Sequence, residues 1–216
     1  EIRNPLGMIL SGMELINDNI TNQKKVITYT DMVKKSILRL NTITNTMLSY
    51  GTPVSNTHTE TDVNQIIKDI LLIATSELQK KKIKINTSLS TLPTIYADPN
   101  SIHQALLNII LNSIQAIDSH GTITISTQKS YFTANSSTKE YGIKITILDT
   151  GHGISEENLK KIFNPFFSTK HKNSGLGLSI IYRIIEKHQG KITVESTENK
   201  ETTVTLYLPK KALKKK

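Results

Sequence analysis

Two periods of apolar residues divide the chain. In residues 2–18, Ile2, Leu6, Ile9, Met13 and Ile16 recur every three or four positions, the spacing of one helix face. Pro5 lies inside this run and, lacking an N–H, is expected to loosen or bend the turn before it. Asp18-Asn19 and Thr21-Asn22 read as a polar turn. Residues 23–50 read as a second helix, with Val26, Met32 or Val33, Ile37, Leu40, Ile43 and Met47 along one side. A lone hairpin cannot cover both stripes, so pairing into a four-helix bundle is the natural solution. Gly51-Thr52-Pro53 breaks the pattern and polar residues follow to Thr61. The expected domains are therefore a helical hairpin at 1–51 and a second domain at 60–210.

The second domain mixes the two periods. A helix is expected from about Val63 to Gln79, with Asp62 as its N-cap and Lys80, Lys81 and Lys82 at the end that favours cations. Ile83 to Leu89 alternate as a strand. Asp98-Pro99 is a cap followed by proline at the first helical position, which predicts a helix to about Asp118, stopped by Gly121. Ile123–Lys129 and Ile143–Asp149 read as strands around a Ser/Thr-rich hairpin loop. A short helix at 156–162, a helix at 176–188 ending at Gly190, and strands at Lys191–Ser196 and Thr203–Leu208 complete the pattern. Runs of helices with antiparallel strand pairs imply an α+β fold, an α/β sandwich with helices on one face of a mixed sheet.

Composition narrows the chemistry. Among 216 residues there is no cysteine, so neither a disulfide framework nor a thiolate metal site is available. No apolar run is long enough to span a membrane. The net charge is +9, of which Lys210, Lys211, Lys214, Lys215 and Lys216 supply five. With no Trp, and three of the four Phe gathered at 163–167, there is no basic face interleaved with stacking rings, so nucleic acid is not an expected partner. The chain begins at Glu1, without Met and inside a helical pattern, which reads as a portion of something longer.

The candidate chemistry gathers in residues 149–178. A strand ends in Asp149, and Gly151-His152-Gly153 follows at once. Then come Phe163-Asn164-Pro165-Phe166-Phe167, a polar loop, and Gly175-Leu176-Gly177-Leu178 at a helix entrance. Glycines there let backbone N–H groups approach a phosphate, and the helix N-terminus favours negative charge. Upstream, Asn108 and Asn112 share a face of a helix on which Ile102, Leu106, Ile109, Leu111 and Ile117 occupy most of the rest. Such carboxamides need partners: either neighbouring backbone or, with two glycine turns downstream, a magnesium ion and phosphate. Magnesium prefers oxygen and keeps several waters, so one amide oxygen beside phosphate oxygens suffices. Asp149 is either a turn cap or the acceptor for an exocyclic amine such as that of adenine. Phe163, Phe166 and Phe167 are either plain core or the anchor of a lid at 168–174, whose Lys170, His171 and Lys172 suit a triphosphate.

Taken together these segments resemble the catalytic core of sensor histidine kinases of two-component systems. QALLNIILNSIQAI (104–117) resembles that family's N box, DTGHGI (149–154) its first glycine box, IFNPFFSTK (162–170) its F box and SGLGLSI (174–180) its second glycine box. EIRNPL (1–6) resembles the H box without its first residue, and the STK after the F box looks most like the nitrogen-regulation sensors. The resemblance implies a dimeric helical-hairpin domain, then an ATP-binding domain of the GHKL type. It implies phosphorylation of a histidine from ATP and transfer to an aspartate on a response-regulator receiver domain. It makes Asn112 the magnesium ligand with Asn108 beside it, and Asp149 the reader of adenine. Gly151, Gly153, Gly175 and Gly177 shape the pocket and phosphate loop, and Ile154, Lys170, Leu176, Leu178 and Thr202 lie in the nucleotide site. Glu1 matches the acid that assists proton transfer and Asn4 the polar residue used in dephosphorylating the regulator. A cytoplasmic homodimer is implied, held at a membrane only through a sensor region outside these residues.

Three departures stand out. Asn173 replaces the glycine usual before Gly175, Glu201 stands where a glycine is expected, and the acceptor histidine would precede Glu1. His58, His103, His120, His152, His171 and His188 lie in no H box and are expected to be surface or structural. The alternatives are a GHKL-type ATP hydrolase or a nucleotide-gated binding module. The hydrolases place a glutamate four residues before the metal-binding asparagine to activate water. Here that position is Asn108, which cannot act as a base.

Overall fold

The helical period of the first fifty residues produces α1 (Arg3–Asp18) and α2 (Gln23–Gly51). Asn22 turns the chain between them: its side chain accepts from the Lys25 N–H and its carbonyl from the Val26 N–H, at 3.2 and 3.0 Å. The helices approach closely at Gly12, where a Cβ would stand 3.1 Å from the Met32 methyl and against Val33. This computed structural model describes residues 3–51, 58–133, 139–168 and 175–211, and the chain divides into two units, Glu1–Val54 and Ser55–Lys216. Within the first unit the apolar stripe stays open: Leu10 is 64% and Met13 59% exposed, and Leu6, Met8, Ile27 and Ile37 are exposed with them.

The second unit runs β1 (Thr59–Thr61), α3 (Val63–Lys80), β2 (Lys84–Leu89), β3 (Ile95–Ala97), α4 (Pro99–Ala116), β4 (Thr122–Phe132), β5 (Glu140–Asp149), α5 (Glu156–Leu159), α6 (Gly177–Lys187), β6 (Lys191–Thr197) and β7 (Glu201–Pro209). Five strands form a mixed sheet in the order β2-β4-β5-β7-β6, parallel only between β2 and β4. One face is apolar: Ile123 and Ile125, Ile143, Ile145 and Ile147, and Val204, Leu206 and Leu208 alternate into the core. Ile67 and Ile70 of α3, Ile102, Leu106, Ile109 and Ile110 of α4, and Ile181 and Ile185 of α6 are buried as well. Each fully buried side chain of this size contributes about 1.5–3 kcal/mol relative to exposure. The α+β sandwich expected from the pattern is the observed fold.

Several local expectations are corrected. The two-stranded β1–β3 sheet was not anticipated; it forms because Thr61 and Ile95, Glu60 and Tyr96 pair across the chain. Both hairpin strands are longer than expected, with Phe132 paired to Glu140 and the rings of Tyr131 and Tyr141 5.2 Å apart. α4 ends at Ala116 rather than Asp118, since Ile117 is already extended. Phe163, Phe166 and Phe167 build no core: Phe166 is 63% exposed and the other two are half-buried, leaving Ile162 as the buried residue beside them. Glu201 enters its strand without a glycine because Asn199, at φ +59, supplies the left-handed turn residue.

Candidate functional site

Helix α4 is the axis of the site. Its N-terminus is capped by Asp98, whose carboxylate accepts from the Asn100 N–H at 3.1 Å and the Ser101 hydroxyl at 2.7 Å. At its other end Lys81 donates its ammonium to the carbonyls of Ile114 and Ile117, at 2.8 and 2.7 Å. A cation here matches the negative end of the helix. The Ala116 carbonyl accepts from the His152 N–H at 3.0 Å, so the loop after β5 is bonded to the end of α4.

Asp149 ends β5 and is only 3% exposed. One carboxylate oxygen accepts from the Ser113 hydroxyl at 2.9 Å, the other from the Gly151 N–H at 3.0 Å. Gly151 has no room for a side chain, since a Cβ would stand 2.6 Å from that of Ala116. Gly153 adopts φ +65 and lies against the Thr197 carbonyl. The next residue, Ile154, donates its N–H to the Ser196 hydroxyl at 2.9 Å, and that hydroxyl donates to the Glu201 carbonyl at 2.7 Å. Ser196 has one proton, so the 2.9 Å contact with Thr202 has the threonine as donor. Thr202 pairs with Asp149 across β5 and β7 and is also buried.

Asn112 immediately precedes Ser113 and faces the entrance of α6. A Cβ built on Gly177 would lie 3.9 Å from its amide nitrogen. Asn108 stands one turn back on the same helix, and both are half-buried. No hydrogen bond of either carboxamide to another side chain or to backbone is found among the described residues. Gly175, at φ +67, packs against the Phe166 carbonyl. Leu176 is buried, and its carbonyl accepts from the Ser179 hydroxyl at 2.9 Å and the Ile180 N–H at 3.0 Å. Leu178 is half-buried. An amide oxygen suits a hard cation, and the amino end of a helix such as α6 suits an anion. The described residues hold no cluster of three or more His, Cys, Asp or Glu fit for a metal.

Ser113 thus joins the Asp149 end of the site to the Asn112 end. Of the remaining expected residues, Asn4 is exposed on α1 of the first unit, and Glu1, Lys170 and lid positions 169–174 lie outside the described residues. Ser113, Ser196 and Lys81 were not foreseen. Only Ser113 carried a hint, a third polar side chain next to Asn112 on an apolar helix. Of the histidines, His188 is buried and bonded, as a structural role requires. No helix among the described residues is long and apolar enough to cross a membrane.

A family model described as histidine kinase-, DNA gyrase B-, and HSP90-like ATPase matches residues 97–212. The sensor histidine kinase ZraS of Escherichia coli strain K12 is 34% identical over 210 residues, 97% of this chain and 43% of that protein. The chain spans less than half the length of the curated relatives of this kind. Among solved structures, the nucleotide-free catalytic domain of histidine kinase ThkA superposes with TM-score 0.63 at 31% identity, over 72% of this chain and 97% of that one. ThkA in complex with the response regulator protein TrrA superposes with TM-score 0.75 at 27% identity, over all of this chain and 60% of that one.

Proposed function

The chain belongs to the family of histidine kinase-, DNA gyrase B- and HSP90-like ATPases, and from that premise we propose that it is the ATP-dependent core of a sensor histidine kinase. In this reading residues 60–210 bind ATP, and residues 1–51 form the dimerisation and phosphotransfer hairpin. The phosphoryl group passes from ATP to a histidine and then to an aspartate of a response-regulator receiver domain. One observation carries the reading: Asn112 faces the glycine entrance of α6 while its neighbour Ser113 bonds Asp149. A single helix thereby sets the distance between a phosphate end and a base end.

The residues divide the work as follows. Asp149, buried at the end of β5, accepts the exocyclic amine of adenine, and Thr202 lies beside it. Gly151, Gly153 and Ile154 form the wall of this pocket. Gly175, Leu176, Gly177 and Leu178 bring the amino end of α6 to the phosphates, joined by Lys170. Asn112 offers its amide oxygen to magnesium, with Asn108 adjacent. The ion, when bound, neutralises phosphate charge; transfer itself depends on positioning and charge stabilisation. Asn108 in the place of a glutamate favours transfer to an imidazole over hydrolysis. Glu1 orients that imidazole, leaving its other ring nitrogen to attack. Asn4 serves the reverse, dephosphorylating step on the regulator. The open apolar stripe of α1 and α2 supports a homodimeric four-helix bundle.

The test is phosphotransfer. The chain as given and a version lengthened upstream, with a histidine before Glu1, are each incubated with γ-labelled ATP and magnesium. Acid-labile, base-stable label is expected on the lengthened chain alone, and it should pass to a receiver domain. Release of free phosphate with no label on either protein would instead assign a hydrolase.

A further inference from the structure

Helix α6 is closed by His188, a residue 3% exposed whose ring is bonded on both sides. Its Nδ1 lies 2.7 Å from the Ile184 carbonyl, which can only accept, so Nδ1 carries the proton. Its Nε2 lies 3.1 Å from the Asp98 backbone N–H, which can only donate, so Nε2 accepts. The ring is therefore neutral, with its tautomer set by its partners. Asp98 caps α4, so this imidazole ties the end of α6 to the beginning of α4.

Neither helix needs the ring for its own termination. The Asp98 carboxylate already serves Asn100 and Ser101. At the end of α6, the His188 N–H reaches the Ile184 carbonyl at 3.1 Å and the Gly190 N–H reaches that of Ile185 at 2.9 Å. What the side chain adds is the connection between helices. Those two helices carry the phosphate end of the site, Asn112 on α4 and Gly177 on α6. Their lengths from tie to site are roughly 20 Å and 16 Å at 1.5 Å per residue.

We propose that His188 is a positioning residue for nucleotide binding, whose accepting nitrogen holds α4 and α6 in the spacing that sets Asn112 against Gly177. This rests on the nucleotide-binding reading above. The tie has a built-in sensitivity to acid. The groups facing the ring are Asp98 at the start of α4, His58 ahead of β1 with its ring centroid 5.1 Å away, and Lys187 on α6. Burial drives the pKa of His188 below its ordinary value. The Ile184 carbonyl opposes this, His58 lowers it further, Asp98 opposes again and Lys187 lowers it. Protonated, Nε2 would point an N–H at the Asp98 N–H and the tie would be lost.

Titration of the full chain with ATP and magnesium chloride between pH 8 and pH 5 tests this. His188→Gln places a non-titrating amide oxygen where Nε2 accepts, whereas the shorter His188→Asn keeps only the Ile184 bond. At pH 8 the glutamine variant should bind like the unsubstituted chain, and the asparagine variant about three- to tenfold more weakly, the loss of one net hydrogen bond. As the pH falls, the unsubstituted chain should approach the asparagine variant while the glutamine variant holds its lead. Amide exchange at Asp98 without nucleotide should be faster in His188→Asn. If that variant does not fold, the pH profiles of the other two proteins decide. Equal affinity of the folded asparagine variant, or parallel acid profiles for the glutamine and unsubstituted chains, overturns the positioning role while leaving ATP binding intact. Absence of ATP binding in the unsubstituted chain overturns both readings.

Discussion

Replacing Gly177 by alanine separates what the fold needs from what the ligand needs. Gly177 is the first residue of α6 and, unlike Gly153 and Gly175, does not occupy the left-handed region. Among the described residues outside its own helix and its chain neighbours, the nearest heavy atom to an added Cβ is the Asn112 amide nitrogen at 3.9 Å, an ordinary van der Waals contact. The polypeptide alone therefore has room for the methyl. Alanine is favoured over glycine in a helix interior by about 0.5–1 kcal/mol, and less at the first position. Taking ~0.5 kcal/mol, and 2–4 °C per kcal/mol for a domain of this size, the melting temperature should rise by about 1–2 °C. Nucleotide affinity should move the other way. The methyl would project between Asn112 and the backbone N–H groups proposed to receive phosphate. Loss of one such contact, about 1–3 kcal/mol, corresponds to roughly ten- to hundredfold weaker binding. Thermal unfolding without nucleotide gives the first number and calorimetric titration with magnesium and ATP the second. Undiminished affinity would mean that the phosphates do not pass Gly177. A melting temperature several degrees lower would mean that the glycine serves the fold.

Other substitutions should behave differently. Gly175→Ala should lower both stability and binding, because φ +67 and the Phe166 carbonyl leave no place for a side chain; the same two assays read it. Asp149→Ala leaves the buried Ser113 hydroxyl and Gly151 N–H without their acceptor, at about 1–3 kcal/mol each. It should weaken adenosine as well as ATP, whereas Asn112→Ala should weaken only magnesium-dependent binding. Lys81→Met retains the aliphatic stem but removes two charge-assisted bonds to the end of α4; urea unfolding should show a loss of about 1.5–3 kcal/mol. Stability should also depend on pH through His188. Its folded pKa lies below the ordinary 6.5, so the unfolded chain takes up its proton first on acidification. That contribution is present in full above 6.5 and is lost as the pH falls through the lowered folded value. His188→Gln should flatten this slope in urea titrations at successive pH values.

Local sequence determined whatever depends on near neighbours. The three-to-four period set the helices, Asp62 and Asp98 set two helix starts, and alternation in Ile143–Asp149 set the inward face of β5. Gly153 and Gly175 were legible as turn glycines, while their left-handed backbone, at φ +65 and +67, came only with the structure. The residues that bracket the site, Asn112, Asp149 and Gly177, also stood out in the motifs that contain them. Only the tertiary structure decided how these pieces are held. The Thr59–Thr61 strand has three polar-flanked residues and no period of its own; it exists because Ile95–Ala97 pairs with it. Ser113 gains its role from Asp149, 36 positions on, and His188 from Asp98, 90 positions back. Lys81 read as the end of its own helix but also caps another, through Ile114 and Ile117. Such bonds join groups whose spacing along the chain follows no helical or strand repeat. They form only after burial of the isoleucine core has brought α3, α4, α6 and the sheet together, and burial then makes an unbonded polar group costly enough to fix each partner.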